Sequence, residues 1–414
     1  MINKQNSRPG IWAYIFIFLL IYISKDTLLF GTNSNESYAN ILYIATPMMI
    51  LPLLIYGYLH NKAVDSAALL AVIALCGTSL ACQFINEEEV NPKYFYACFM
   101  YLLAFLVCTT FSVQTFKKIF VDIVTFLAVA SLIAFAISYI LPNFVYRLPL
   151  VINEGGHGYG NMVFAMIPYK RAYVTNRCYG IFREPGVYQC FLNMNLMFLL
   201  EQEEHPLKSW KFYISLLALV FTFSTAGYIT CMLVILIGVL SKKISVNAKM
   251  AIPMILAIAA VVFLFEQGII KYDTAVFKKL QTSNASTNSR FGSILVNLYM
   301  VQFGPLIGNG YIFVEENFPI VSSEVFGFIP SSNTNTVMKL FAVQGVIPPV
   351  LLVWGIFKFC RNNYCRKCWM LNALVFLLLL SNEDFIFNIA FYIIMFYGFA
   401  GKGGTATTHE ATAS

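Results

Sequence analysis

The chain is dominated by a succession of long apolar blocks between residues 11 and 400, several near the roughly 20 residues that carry a helix across the hydrocarbon core of a bilayer. The blocks are not striped at a period of 2 or 3.6. A helix apolar on every side faces lipid or lies inside a bundle. Backbone N–H and C=O groups find no water in hydrocarbon, so only helices and closed barrels span it, and blocks of this length predict helices. Charged residues make up 11% of the chain, against roughly 25% in soluble domains, which is too few to cover a water-exposed surface. The expected fold class is an all-α, polytopic integral membrane bundle.

Charge orients the blocks, because basic residues collect in cytoplasmic loops. Lys4 and Arg8 precede the first block, Lys62 follows the second, and Lys117 and Lys118 follow the fourth. The Asn-rich stretch 31–40 and the run Glu87, Glu88, Glu89 fall on the opposite side. Spans are read at 11–30, 41–59, 67–84, 94–113, 119–141 and 186–200. The stretch 212–240 is one long helix or a hairpin broken at Ser224-Thr225-Ala226-Gly227. The hairpin keeps Lys242, Lys243, Lys358, Arg361, Arg366 and Lys367 inside and is preferred. Further spans at 250–265, 336–357, 369–381 and 385–400 bring the total to about twelve, with both termini cytoplasmic.

The expected organisation is a five-helix region over 1–141 and a first large outer loop over 142–185. Helices including the broken hairpin follow over 186–265, then a second large outer loop over 266–335, with an amphipathic helix near 291–303. C-terminal helices occupy 336–400, and a small polar tail, 401–414, reads as disordered. The net charge of +7 is explained by orientation and does not call for nucleic acid. Six of the ten cysteines sit inside apolar blocks, where cysteine acts as a small hydrophobe. The first block lacks a small-residue cleavage site and reads as a span rather than a cleaved signal.

The outer loops are basic where orientation does not favour it. The first holds Arg147, Lys170, Arg171, Arg177 and Arg183, and the second Lys271, Lys278, Lys279 and Arg290. Contact with acidic headgroups is one account. An anion site is the other, since the planar guanidinium fork matches phosphate oxygens bidentately. In the segment 177–186, Pro185 suits a first helical turn and Glu184 falls at its cap, so two arginines and a helix N-terminus, itself an anion site, come together.

These residues carry a resemblance. Arg177 to Pro185 resembles the R-x-x-G-x-F-x-E-P signature of the Wzy-type O-antigen polymerases. Thr222-Phe223-Ser224-Thr225-Ala226-Gly227-Tyr228 resembles that family's T-x-S-x-G turn. Arg290-Phe291-Gly292, with Pro305-Leu306-Ile307-Gly308-Asn309-Gly310, resembles its R…P-L-x-G-x-G element. Ser332-Asn333-Thr334-Asn335, leading to Gly345, resembles its last helix start. The likeness covers roughly 170–350 and the hydropathy layout. It implies a metal-independent glycosyltransferase without cofactor in the bacterial cytoplasmic membrane. Such an enzyme takes a growing glycan from undecaprenyl diphosphate and transfers it to the non-reducing end of another lipid-linked repeat unit, at the outer face. Its partners would be those lipid-linked oligosaccharides, membrane lipid and a Wzz-type chain-length regulator. The related ligases, which deliver the glycan to a lipid A core, carry a histidine where this chain reads Ser332 to Thr336, which favours polymerase over ligase. A lipid-linked oligosaccharide flippase is the reading from another class. It would need a cationic cavity within the bundle, whereas here the cations lie in outer loops.

A lipid diphosphate leaving group calls for preorganised donors, and Arg177, Arg183 and Arg290 are the residues expected to supply them, with Lys170 and Arg171 beside them. A proton acceptor for the attacking hydroxyl would be His157, the one histidine on the outer side, or Glu184. Each also has an ordinary explanation, as a loop histidine and as a helix cap. Tyr179, Asn333 and Asn335 suit sugar rings and hydroxyls, or equally an interfacial belt. Glu383 and Asp384, in a tight outer loop between two helices, could help position a sugar, but read more simply as a polar turn. Cys360, Cys365 and Cys368 lack the further ligands of a zinc site, and no metal is expected.

Overall fold

The computed structural model describes residues 9–60, 64–169, 177–241, 243–244, 285–327 and 333–400, and within them the fold is mostly helical. Lys170, Arg171, the span expected at 250–265, much of the second outer loop and the tail 401–414 lie outside the described residues. Helices α1 (Ile11–Tyr22), α2 (Glu36–Leu59), α3 (Ser66–Asn86), α4 (Pro92–Thr110) and α5 (Val113–Ile140) come first, followed by the single turn α6 (Pro142–Val145). Of these, α2 to α5 are long and apolar enough to cross a membrane by length and composition. On α2, Ile44, Met48, Leu51 and Ile55 form an exposed stripe at helical spacing. A stripe of that kind needs an apolar surround, so the helices suggest a membrane protein.

The first outer loop departs from an all-α fold. Strands β1 (Leu150–Ile152), β2 (Gly158–Asn161) and β3 (Met166–Pro168) form an antiparallel sheet in the order β1-β2-β3. Sheet pairing gives the backbone groups of this loop partners that no helix supplies.

Helix α7 (Pro185–Gln202) is buried from Val187 to Leu200. It carries Gln189, Asn193 and Asn195 into the core. Asn193 Nδ2 donates to the Gln189 Oε1 and Gly227 carbonyl oxygens at 2.9 and 3.2 Å, and Asn195 Nδ2 to Ser215 Oγ at 2.7 Å. These bonds satisfy the buried amide N–H groups, while the Oδ1 atoms of Asn193 and Asn195 find no partner among the described residues. At the far end of α7, Lys117 is fully buried, with Nζ 2.6 Å from Glu201 Oε2 and 3.2 Å from Asn363 Oδ1. Helices α8 (Trp210–Val220) and α9 (Thr225–Leu240) fold back on each other. Beyond the end of α9, Lys243 Nζ bonds the Glu203 carbonyl at the end of α7, while the α8–α9 turn receives a bond from the Cys178 N–H to the Phe221 carbonyl near its start.

The remaining helices are α10 (Ala285–Val301), α11 (Tyr311–Glu324), α12 (Thr336–Gln344), α13 (Ile347–Asn363), α14 (Trp369–Asn382) and α15 (Ile389–Phe399). Helix α10 falls near the expected amphipathic segment. Three expected spans are shorter or divided. The block 11–30 stops being helical at Tyr22, because the backbone of Asp26 and Leu28 bonds instead to Arg183 and Ile181 at 2.9 Å each. The block 336–357 divides at Gly345, where φ is +79°. The block from 385 becomes helical only at Ile389, capped by the Asn388 side chain.

Helix α15 is buried along its length and crosses α13 with Gly398 against Gly355, where a Cβ on Gly398 would strike the Gly355 carbonyl. Overpacking a core contact costs about 1–3 kcal/mol. Gly398→Ala is therefore expected to lower the melting temperature in detergent by several degrees. Gly77→Ala, with open space around it, is expected to leave it unchanged or raise it. Equal melting of Gly398→Ala and wild type in a thermal scan would refute the crossing.

Candidate functional site

Segment 177–186 shapes the start of α7. Gly180 turns the chain at φ +57°, where a Cβ would press on the Tyr188 ring at 3.1 Å. The turn sends Phe182 into the core, stacked on Phe191 at 4.3 Å between ring centres. Glu184 is the N-cap residue and Pro185 the first helical position, a place where the missing N–H costs nothing. The Glu184 carboxylate makes no capping bond and stands exposed.

Arg183 is the centre of a charged cluster. Its Nε lies 3.8 Å from Asp26 Oδ1 and its Nη2 3.9 Å from Glu383 Oε2, and Nη2 donates to the Asp384 carbonyl at 3.2 Å. Asp26 also receives the Asn388 amide at 2.6 Å, and Asp384 receives Lys339 Nζ at 2.6 Å. Asp26 and Glu383 are buried. Burial raises the Asp26 carboxyl to about 6, with Arg183 opposing it. Burial and the neighbouring Glu184 push Glu383 up to about 8 against the pull of Arg183 and Arg290. Burial would raise Asp384 too, but the Lys339 ammonium and Arg183 outweigh it and hold this carboxyl below its ordinary value. The carboxylates outnumber the cations that face them, so one of them keeps its proton most readily, and that one is Glu383.

Two cavities flank this cluster. The larger, about 630 Å³, brings together Arg177, Glu184, Arg290 and Glu383 with the α8–α9 turn, and is walled on one side by Ile229, Ile294 and Leu378. The Arg177 Nε and the Thr225 hydroxyl are buried without a hydrogen-bond partner among the described residues. The N-termini of α7 and α9 both open on it, at Pro185-Gly186 and Ser224-Thr225. Unpaired N–H groups and the helix dipole favour an anion at such ends. The smaller cavity, about 310 Å³, shares Glu184 and Glu383 with the larger and adds Arg183, Lys339, Asp384 and Asn333.

The α8–α9 turn explains its own sequence. The Thr222 hydroxyl donates to the Leu219 carbonyl at 2.6 Å, and Ser224 caps α9. Gly227 lets α9 approach α7, since a Cβ there would meet Gln189 at 2.9 Å. The Tyr228 hydroxyl closes on the Val220 carbonyl at 2.6 Å. Phe223, at φ +49°, sits in the left-handed region and lines the large cavity.

The residues singled out by sequence divide accordingly. Arg177, Glu184 and Arg290 meet at the large cavity. Arg183 is occupied by carboxylates and reaches only the small one. His157 is exposed in the β1–β2 turn and lines neither cavity. Tyr179 is buried, with its ring 5.5 Å from that of Tyr159. Asn335 is spent as the cap of α12, accepting from Met338 N at 2.9 Å. Asn333 exchanges amide bonds with Asn297 at 2.8 and 3.0 Å while touching the small cavity. Asp26 and Lys339 are cluster residues that the sequence did not mark, and Glu383 and Asp384, read there as a turn, belong to the cluster as well.

A carboxyl whose proton affinity rises on folding favours the folded state at low pH, and that advantage is lost as pH climbs through the folded value. For Glu383 the window runs from 4.5 to about 8. Glu383→Gln, neutral throughout, is expected to melt with wild type near about pH 5 and above it near about pH 9. A difference independent of pH in a melting series would contradict this. Neither a scan against protein-family models nor a search of curated proteins finds a significant match to this chain.

Proposed function

We propose that this chain is a polysaccharide polymerase of the Wzy type. It would transfer a growing glycan from undecaprenyl diphosphate to the non-reducing end of another lipid-linked repeat unit at the outer membrane face. The observation that carries the reading is the large cavity, where Arg177, Arg290 and two helix N-termini converge beside an apolar wall. A lipid diphosphate has this same division, an anionic head joined to a hydrocarbon tail. The arginine forks neutralise charge that develops on the diphosphate as its bond to the sugar breaks. The buried, unpartnered Nε of Arg177 supports the reading, because a buried donor without an acceptor is costly unless a ligand supplies one. Membrane partners, including a chain-length regulator, belong to the same proposal, as do about twelve spans with cytoplasmic termini.

Removing one such donor typically costs about 10²–10³ in rate. Purified protein in liposomes, given only undecaprenyl-diphosphate-linked repeat units, is expected to yield a ladder spaced by one repeat. Arg177→Ala and Arg290→Ala should each slow it by about that factor at normal protein level. Transfer that requires an added lipid A core would indicate a ligase. Movement of substrate across the bilayer without product, unaffected by both substitutions, would indicate a flippase.

A further inference from the structure

We propose that the smaller cavity is the binding site of the acceptor saccharide and that Glu383, on the wall between the two cavities, accepts the proton of its attacking hydroxyl. This inference rests on the polymerase reading for the reaction, but not for the binding of sugar.

The two cavities differ in chemistry. The large one joins arginines to an apolar wall, as a lipid diphosphate requires. The small one, about 310 Å³, is ringed by Arg183, Lys339, Glu315, Asp384 and Asn333, with Phe318 as an aromatic face. Its volume is at the small end of ligand sites, which run about 300–1,000 Å³, so it has room for a sugar ring and not for a long hydrocarbon tail. Dense charged and amide groups beside one aromatic ring suit a ring of hydroxyls better than any apolar ligand.

Glu184 and Glu383 line both cavities, so the two meet at these carboxylates, and a hydroxyl bound in one comes beside a sugar carbon bound in the other next to them. Glu184 is exposed, whereas Glu383 is buried and held in place. Arg183 lies 3.9 Å from it on one side. On the other, its Oε1 fills the space beside Gly186 where a Cβ would stand. The charged groups that act on it are Glu184, Arg183, Arg290 and Asp26. Their balance with burial raises its proton affinity to about 8, so the ionised form, whose share grows as pH climbs towards that value, is the form that accepts the proton. His157, exposed on the β1–β2 turn, lines neither cavity.

The step balances without a further reactant. The acceptor oxygen bonds to the anomeric carbon, and the bond from that carbon to the diphosphate breaks with its electron pair going to the phosphate oxygen. The hydroxyl proton passes to a Glu383 carboxylate oxygen.

The test separates donor from acceptor by using undecaprenyl-diphosphate-linked donor with the repeat unit on a short octyl aglycone as acceptor. Glu383→Gln should lower kcat by about 10²–10⁴-fold and abolish the acid limb of the pH–rate profile. Glu383→Asp should retain a limb at a shifted pH. Glu315→Ala, which removes a carboxylate that lines the small cavity and is paired with Lys93 Nζ at 2.6 and 2.7 Å, should raise KM for the octyl acceptor about tenfold and leave donor KM unchanged, in the range expected for one lost charged contact. Wild-type behaviour of all three variants in an active enzyme overturns the inference and leaves the polymerase reading standing. No product from wild-type protein overturns that reading and the role of Glu383 with it. The free repeat-unit oligosaccharide, titrated calorimetrically without donor, then decides the chamber: binding weakened tenfold in Glu315→Ala upholds it, and no binding refutes it.

Discussion

The end of the molecule that carries both cavities depends on the partly buried charge of Arg183. Taking a guanidinium out of water is costly unless carboxylates and hydrogen bonds surround it. Here the compensating groups come from chain positions far apart. Asp26 lies between α1 and α2, and Glu383 and Asp384 lie between α14 and α15. Lys339 on α12 and Asn388 before α15 complete the set. Satisfying one cation therefore fixes the mutual register of four segments. Three of those segments, around 183, 339 and 383–384, also contribute to the cavity walls, so the shape of the site is tied to how this charge is compensated. Lys117 and Glu201 fasten the opposite end of α7 in a similar way.

What was legible in the sequence was local. Glu184 before Pro185 announced a helix start, and Ser224 before Thr225 a break with a new cap, because capping chemistry lies within a few residues of the feature it creates. Arg177 and Arg290 stood out as cations where orientation did not call for them. Asp26 and Glu383 left only a weaker trace, as charges at the margins of apolar blocks, since an ion pair spanning 200 or more positions has no local signature. Tyr179 and Asn335 had suitable side chains for sugar, but their surroundings consumed them, one in ring packing and one in a cap. A helix at 185–202 matches the block read near 186–200, yet its burial within the bundle is visible only through the partners of its buried amides.

The glycine-rich element at 305–310 and Gly345 were noted separately in the sequence, and the fold shows them to be two halves of one contact. A Cβ on Gly308 would strike the Val343 carbonyl, and one on Gly345 the Leu306 carbonyl. Asn309 and Gly310 donate backbone bonds to Ala342 and Val343 at 2.9 and 3.1 Å. The pattern therefore describes backbone approach, with no catalytic group in it, and it seats α10 and α11 against α12, which carries Lys339. Motifs of small residues in this chain hold the scaffold.

The fit of Glu383 against Gly186 ties two positions separated by nearly half the chain. A side chain at 186 would claim the volume that the carboxylate occupies, so even a methyl group there would swing the Glu383 side chain aside and reshape both cavities at once, from a position that carries no charge of its own.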